Sequence, residues 1–543
     1  MNVKCSTKSV WPAVVCIVLV AALLAGCGGG SKPSAQPQAQ PEQPKPPEPK
    51  KPVVFTYVSS TEPDLLDPSI WFTTTPLNLN VYQNLLEVNP EGSDKPFTPM
   101  LAESYTVSGD GLTWKFKLRQ GVKFHDGSPF NAEAVKYSIE RTRKINEAPA
   151  GLWSAVEQIN VVSEYEIEFK LNAQVPFDYI VAAGYGVGML SPKAVKDHEK
   201  DGDLAKEWFK DNAVGTGPYK LKEWKRGEQM VLEKFDDYWG GWKEGYPDIV
   251  VIKFVKEYST ARLMLEKGEA DMVDFIPADQ VEEARKLPGV KVESYPSFET
   301  LYFHFNCGRG ATKNKTLRQA LSYAFNYGGI EQISRGNAKQ LRGVLPSAMW
   351  GYSKDTFQYT FDLDKAKELL AKAGYPNGGL KLTLGYMAQD ELERQLAEMY
   401  KSDLAKIGVE LKLEGAPWAT ISTKQKSQDT AYDIFVRYWW PDYVDPHDFM
   451  YFLLKSGVKS NYSYYSNPQV DKLIDEAHKT AGVDRNKAIS LYKQIQDIVV
   501  EDAQSVFVLE QKCVVPMRIS VKDFVYNPAY PRIVKFYGLR LER

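Results

Sequence analysis

The chain runs to 543 residues, more than a single hydrophobic core usually serves, so at least two lobes are expected. Its 67 Lys and Arg against 69 Asp and Glu leave a formal net charge of −2, and the charges are interspersed, which argues against a nucleic-acid partner. Beyond the first residues no second apolar run has the length of a membrane span, and the body has the composition of an ordinary globular protein.

The N-terminus reads as an export signal. Lys4 and Lys8 precede the apolar run VWPAVVCIVLVAALLAG, which is short for a membrane span and ends in small residues before Cys27. Leu24-Ala25-Gly26-Cys27 resembles the bacterial lipobox, so residues 1–26 are expected to be removed and Cys27 lipidated. Acyl chains would then anchor the chain at a membrane, at roughly 0.8 kcal/mol per buried CH₂. Ser31–Pro52, SKPSAQPQAQPEQPKPPEPKKP, is proline-rich and lacks large apolar residues. Residues 27–52 are therefore a lipidated cysteine and an extended tether; at about 3.1 Å per residue the proline-rich part reaches roughly 70 Å.

In chain order, VVFTYVSS predicts a strand, and LTWKFKLRQGVKFHDGSPF an antiparallel hairpin turning near Gly121 and Asp126-Gly127. His125 falls in that hairpin without a second ligand at metal spacing, and is read as a turn residue. Asn131 is placed to cap the helix AEAVKYSIERTRKI. GTGPYKLKEWKRGEQMVLEKFDDYW predicts turn, strand, turn, strand, and STARLMLEKGEADMVDFIP a helix stopped by Gly268 before a short strand. FDLDKAKELLAKAGYPNGGLKLTLGYM and DELERQLAEMYKSDLAKIGVELKLEG are two successive helix–strand units, the signature of an α/β lobe with a largely parallel sheet.

Motifs for several chemistries are missing. There is no phosphate loop, no His-Glu-x-x-His, no Cys-x-x-Cys and no Gly-x-Ser-x-Gly, and the five histidines are scattered. Binding is favoured over catalysis, with no cofactor.

Tyr438–Phe449, YWWPDYVDPHDF, concentrates three aspartates and a histidine behind two tryptophans. AYDIFVRYWW predicts a strand ending near Trp440, and Pro441 and Pro446 forbid one helix across the segment. Asp445 fits the N-cap of a helix HDFMYFLL, with Pro446 at its first position and Asp448 at its third, where a carboxylate suits the exposed N–H groups. His447, in the first turn, is expected to face solvent. Asp442 is left over, just past a strand end where open α/β sheets bind ligands, beside Trp439, Trp440 and Tyr443. An acid walled by aromatics suits an ammonium group. A solvated loop aspartate is the plain alternative.

WWPDYVDPHDF resembles the Trp-x-x-Asp-Tyr-x-Asp-Pro segment of the extracytoplasmic solute-binding proteins that serve peptide and nickel ABC importers. PMLAESYTVSGDGLTWKFKLRQGVKFHDGSPFNAEAVKYSIER, VGTGPYKL, DYWGG, AKELLAKAGYPNG and SDLAKIGVELKL are similar to that family as well, covering about Thr61 to Val514. ALSYAFNYGGIEQI departs from the family at Asn-Tyr-Gly-Gly. The resemblance implies an α/β, two-lobed periplasmic-binding-protein-like fold with a two-strand hinge and an enlarged first lobe. Residues 53–298 plus 504–543 would form lobe 1 and 299–503 lobe 2. LYFHFNC and SVFVLEQ would be the crossings, bringing Cys307 and Cys513 into one neighbourhood. It further implies a monomeric, extracytoplasmic lipoprotein that captures short peptides and delivers them to an ABC permease, with Asp442 pairing a peptide's free amino terminus. Arg437, on the strand face of Trp439, is the candidate for a ligand carboxylate. Oligosaccharides or a nickel or other metal chelate, with His447 near acids, are the alternative cargoes on the same fold. A surface hydrolase using Asp442 and Asp445 as paired carboxylates is the reading from another class.

Overall fold

The computed structural model describes residues 51–70, 77–90, 95–531 and 533–542, and nearly all of the leader and tether, with Cys27, lies outside them. Eleven strands form one mixed sheet: β1 (Val54–Ser59), β2 (Tyr219–Lys225), β3 (Gln229–Lys234), β4 (Ile249–Phe254), β5 (Met272–Val273), β6 (Val290–Phe305), β7 (Ala338–Gln340), β8 (Leu380–Met387), β9 (Val409–Ala416), β10 (Ile434–Trp439) and β11 (Ser505–Arg518). Their spatial order is β9-β8-β10-β6-β11-β5-β1-β4-β3-β2, with β7 paired to β11. Among the described residues no helix is long and apolar enough to cross a membrane.

The long strands β6 and β11, of 16 and 14 residues, run antiparallel through the middle of the sheet. At one end β11 pairs with β5, which leads to β1; at the other β6 pairs with β10, which leads to β8 and β9. Their register breaks between Pro296 and Thr300. Proline supplies no N–H to the ladder, so the pair is weakest there. Of the two segments expected to cross, Leu301–Phe305 and Ser505–Gln511 lie on these strands and pair with each other, with a second register shift between Leu301 and Tyr302. The cysteines do not meet. Cys513 lies opposite Tyr295, whereas Cys307 follows the far end of β6 with its thiol near Gln504 O, and no disulfide joins the two. About nine residues of extended strand separate the two sites, on the order of 30 Å at ~3.3 Å per residue.

On the β1 side, β1 runs parallel to β4 and β5, while β2, β3 and β4 are antiparallel neighbours. Gly268 ends the Tyr258–Lys267 helix at φ 75, a left-handed cap that glycine adopts without Cβ strain. The tail returns to this half: the Phe536 ring lies 5.7 Å from those of Phe55 and Tyr57. On the other side, helices Leu363–Lys372 and Glu391–Ala405 feed β8 and β9, which are parallel, as the repeated helix–strand pattern predicts.

The expected hairpin forms differently. Thr113–Leu118 pairs with Ala102–Val107 and Glu166–Leu171 in a separate four-stranded sheet, and after Gly121 only a bridge between Lys123 and Pro129 closes the Asp126-Gly127 turn. The alternating residues of Thr113–Leu118 find longer partners in those strands than the short run before Asp126 offers. His125 ties this turn to another: Nε2 lies 2.9 Å from Gly217 O, and Nδ1 accepts from Gly215 N at 3.3 Å. Asn131 caps the Ala132–Ile145 helix as expected, accepting from Ala134 N.

Candidate functional site

Strand β10 ends at Trp439, and Pro441 and Pro446 keep the following turn irregular until the Pro446–Leu454 helix begins. Asp445 is the N-cap, its Oδ1 accepting from His447 N at 2.8 Å. Asp448 takes the expected third position of this helix, but its side chain and that of His447 are used differently from expectation. Asp448 does not cap its own helix. It reaches back, Oδ1 accepting from Trp439 Nε1 at 2.8 Å and Oδ2 from Asp442 N at 3.0 Å. One buried carboxylate thereby fixes both the last strand residue and the loop aspartate, satisfying two N–H donors at once. His447 is buried: its Nδ1 is 2.6 Å from the Tyr443 hydroxyl and its ring stacks on that of His478 at 3.6 Å. The helix turns it inward, where burial holds its pKa well below the usual imidazole range.

Asp442 is half-buried, and its Oδ1 accepts a hydrogen bond from the Tyr185 hydroxyl. Burial lifts its carboxyl to about 6, against the opposing pull of that hydrogen bond and of Arg437. Burial and the neighbouring Asp442 charge push Asp448 up as well. Arg437 lies under the site with its guanidinium 4.5 Å from the Trp439 ring and 5.0 Å from that of Tyr462, while Nη1 donates to Ser460 O at 2.7 Å. Burial lowers it only to about 10, so it stays cationic at neutral pH.

Asp442, Arg437, Trp439 and Trp440 line one cavity of about 410 Å³, within the range of small-ligand sites. Tyr443 is not in that lining and spends its hydroxyl on His447. Glu393, Met387, Trp418 and Tyr438 are also among the walls, and Tyr185 holds Asp442. Sequence reasoning passed over these five. Glu393 carried one signal, a position three after the helix-capping Asp390, but that pattern announces a helix start and not a pocket. A second cavity, about 400 Å³, shares Met387, Tyr438 and Trp440 with the first and is floored by β6 and β11 residues at the register break, Ser297 and Gln511 among them. The site thus sits at the carboxyl end of β10 and opens along the crossing strands.

Residues 96–461 match the family described as bacterial extracellular solute-binding proteins, family 5 middle. The chain belongs to that family. It is 34% identical over 488 residues to the probable D,D-dipeptide-binding periplasmic protein DdpA of Escherichia coli K12, spanning 87% of this chain and 92% of that one. It is 30% identical to the glutathione-binding protein GsiB of Pectobacterium atrosepticum, over 78% of this chain and 82% of the relative. Among solved structures, the ABC transporter-associated periplasmic binding protein DppA of Helicobacter pylori, in complex with peptide STSA, superposes with a TM-score of 0.75 at 27% identity, covering 90% of this chain and 98% of that one. The fold is accordingly the two-lobed one of periplasmic binding proteins.

Proposed function

We propose that this solute-binding protein captures short peptides in the space above β10 and hands them to an ABC permease. The observation that carries the reading is Asp442. It is a carboxylate at a strand's end, half-buried among indoles in a cavity of ligand size, where an ammonium would gain a charge-assisted bond shielded from water. The similarity to dipeptide- and glutathione-binding relatives supports the same class of cargo. Arg437 is the candidate for a ligand carboxylate, since it lines the same cavity. Residues 53–298 plus 504–543 and 299–503 are the proposed lobes, a division supported by the register break at Pro296–Thr300. Cargo is held and released, not converted: the capping role of Asp445 removes it from any carboxylate pair with Asp442. The chain would act as an extracytoplasmic monomer, tethered through lipidated Cys27.

The test is mass spectrometry of small molecules released on denaturing the natively purified protein. Short peptides are expected. Saccharides or a metal complex would overturn the peptide cargo and the role of Asp442 with it.

A further inference from the structure

The cavity holds a second carboxylate that amine recognition does not use. Glu393 is only 1% exposed, yet it lines the cavity beside Asp442. It stands in the first turn of the Glu391–Ala405 helix, held there by Asp390, whose Oδ1 accepts from Glu393 N at 2.9 Å. Its own Oε2 accepts from Met387 N at 2.6 Å. Its other oxygen takes no protein donor among the described residues.

The walls around it are aromatic. Trp418 and Trp440 keep 37% and 45% of their surface open, and Tyr438, Trp439 and the Met387 side chain close the rest. A carboxylate recessed behind indole faces suits a cation on a flexible stem: the ring quadrupoles attract it and the acid meets its N–H groups. Among the described residues Arg437 is the one cation in the lining of this cavity; its Nη1 donates to Ser460 O and its guanidinium packs against Trp439 and Tyr462. The adjoining cavity adds Asp390 and Glu299, while its Lys512 ammonium donates to Gly336 O. Acidic side chains therefore outnumber basic ones in the walls that a ligand would meet.

We infer that this cavity is a selectivity subsite for a cationic side chain, an ammonium or guanidinium next to the ligand's free amine, with Glu393 as its counter-charge. The inference rests on the peptide reading of the same site. One consequence separates it from simple hydrophobic fit. Burial lifts the Glu393 carboxyl to about 8, so at pH 7 the empty site holds a proton that an arriving cation displaces.

The experiment is titration calorimetry on the full chain in mild detergent, with Lys-Ala and Lys-Ala-Ala against their norleucine counterparts, at pH 7 in two buffers of different ionisation enthalpy. The lysine peptides should bind at least tenfold tighter and release about one proton more than the norleucine peptides. Glu393→Gln, which keeps an acceptor for Met387 N, should bring the two series within twofold while both still bind. Equal affinities in the parent protein, or a lysine preference that survives Glu393→Gln, would overturn the subsite and leave peptide binding standing. The parent comparison decides even where the variant does not fold. Absence of binding by all four peptides would remove the peptide reading, and the subsite with it.

Discussion

The Tyr185 hydroxyl donates to Asp442 Oδ1, joining residues 257 apart in sequence and on opposite sides of the proposed lobe boundary. Asp442 is thus supplied with a neutral donor in the position a ligand ammonium would take or share. Asp442→Ala should weaken peptide binding by at least about 1.5 kcal/mol, roughly tenfold in Kd, measured by calorimetry at pH 7.5. Affinity should also fall on acidification, by up to about tenfold per pH unit below about 6, because the protonated carboxyl no longer attracts the amine. Tyr185→Phe removes a hydrogen bond that favours the ionised acid, so it should move this acid limb to higher pH. An affinity flat from pH 5 to 8 would contradict the assignment.

Asp448 is the support on which that site depends. Both its oxygens are used, on Trp439 Nε1 and Asp442 N, and the residue is fully buried. Asp448→Ala leaves two donors without acceptors, and should cost on the order of 2–4 kcal/mol in urea unfolding as well as ligand affinity. Retained stability with normal binding would show that the turn holds its shape without the clamp.

What the sequence made legible follows from how local each signal is. The Asn131 and Asp445 caps, the Gly268 stop and the two helix–strand units are set by neighbours within a few residues, and the structure repeats them. Long-range choices were not legible. Thr113–Leu118 alternates equally well for any partner, and only the assembled sheet selects Ala102–Val107 and Glu166–Leu171 over the run before Asp126. The same holds at the site: Asp442 could be singled out because nothing local used it, whereas Tyr185, Glu393 and Trp418 come from distant segments with no mark on them. His447 and Asp448 misled because a first-turn position does not say which way the helix faces.

In VGTGPYKL the two glycines serve close backbone packing. A Cβ on Gly215 would lie 2.1 Å from Val81 O, and one on Gly217 2.3 Å from Asn80 O, both backbone atoms. The close approach lets Gly217 N donate to Val81 O at 2.9 Å and Tyr219 N to Asn80 O at 3.0 Å. Gly217→Ala should therefore destabilise the protein by at least about 2 kcal/mol in denaturant unfolding. Affinity in the folded fraction should be unchanged.

The cysteine geometry also makes a definite prediction. With Cys513 opposite Tyr295 and Cys307 beside Gln504, no intramolecular bond is within reach. Denatured, unreduced protein comprising residues 31–543 should titrate two thiols, and reductant should leave its melting temperature unchanged. A single band two mass units lighter, with no free thiol, would refute the strand register between β6 and β11.

Asp445 should set a pH dependence of stability. It is fully buried; Oδ1 accepts from His447 N and from the Tyr492 hydroxyl at 3.2 Å, while Oδ2 has no partner among the described residues. Burial raises its carboxyl from 3.8 to about 7, with Arg485 opposing the shift. The folded state therefore keeps a proton that the unfolded chain releases. Its contribution is full below about 3.8 and is lost as pH rises to about 7, on the order of 2–4 kcal/mol in all. Other groups titrate in the same window, so the readout is a difference. The unfolding free energy of the parent minus that of Asp445→Asn should fall between pH 4 and 7 and level off above. A difference that instead rises over that interval would mean the carboxylate is stabilised in the fold, with Arg485 outweighing burial.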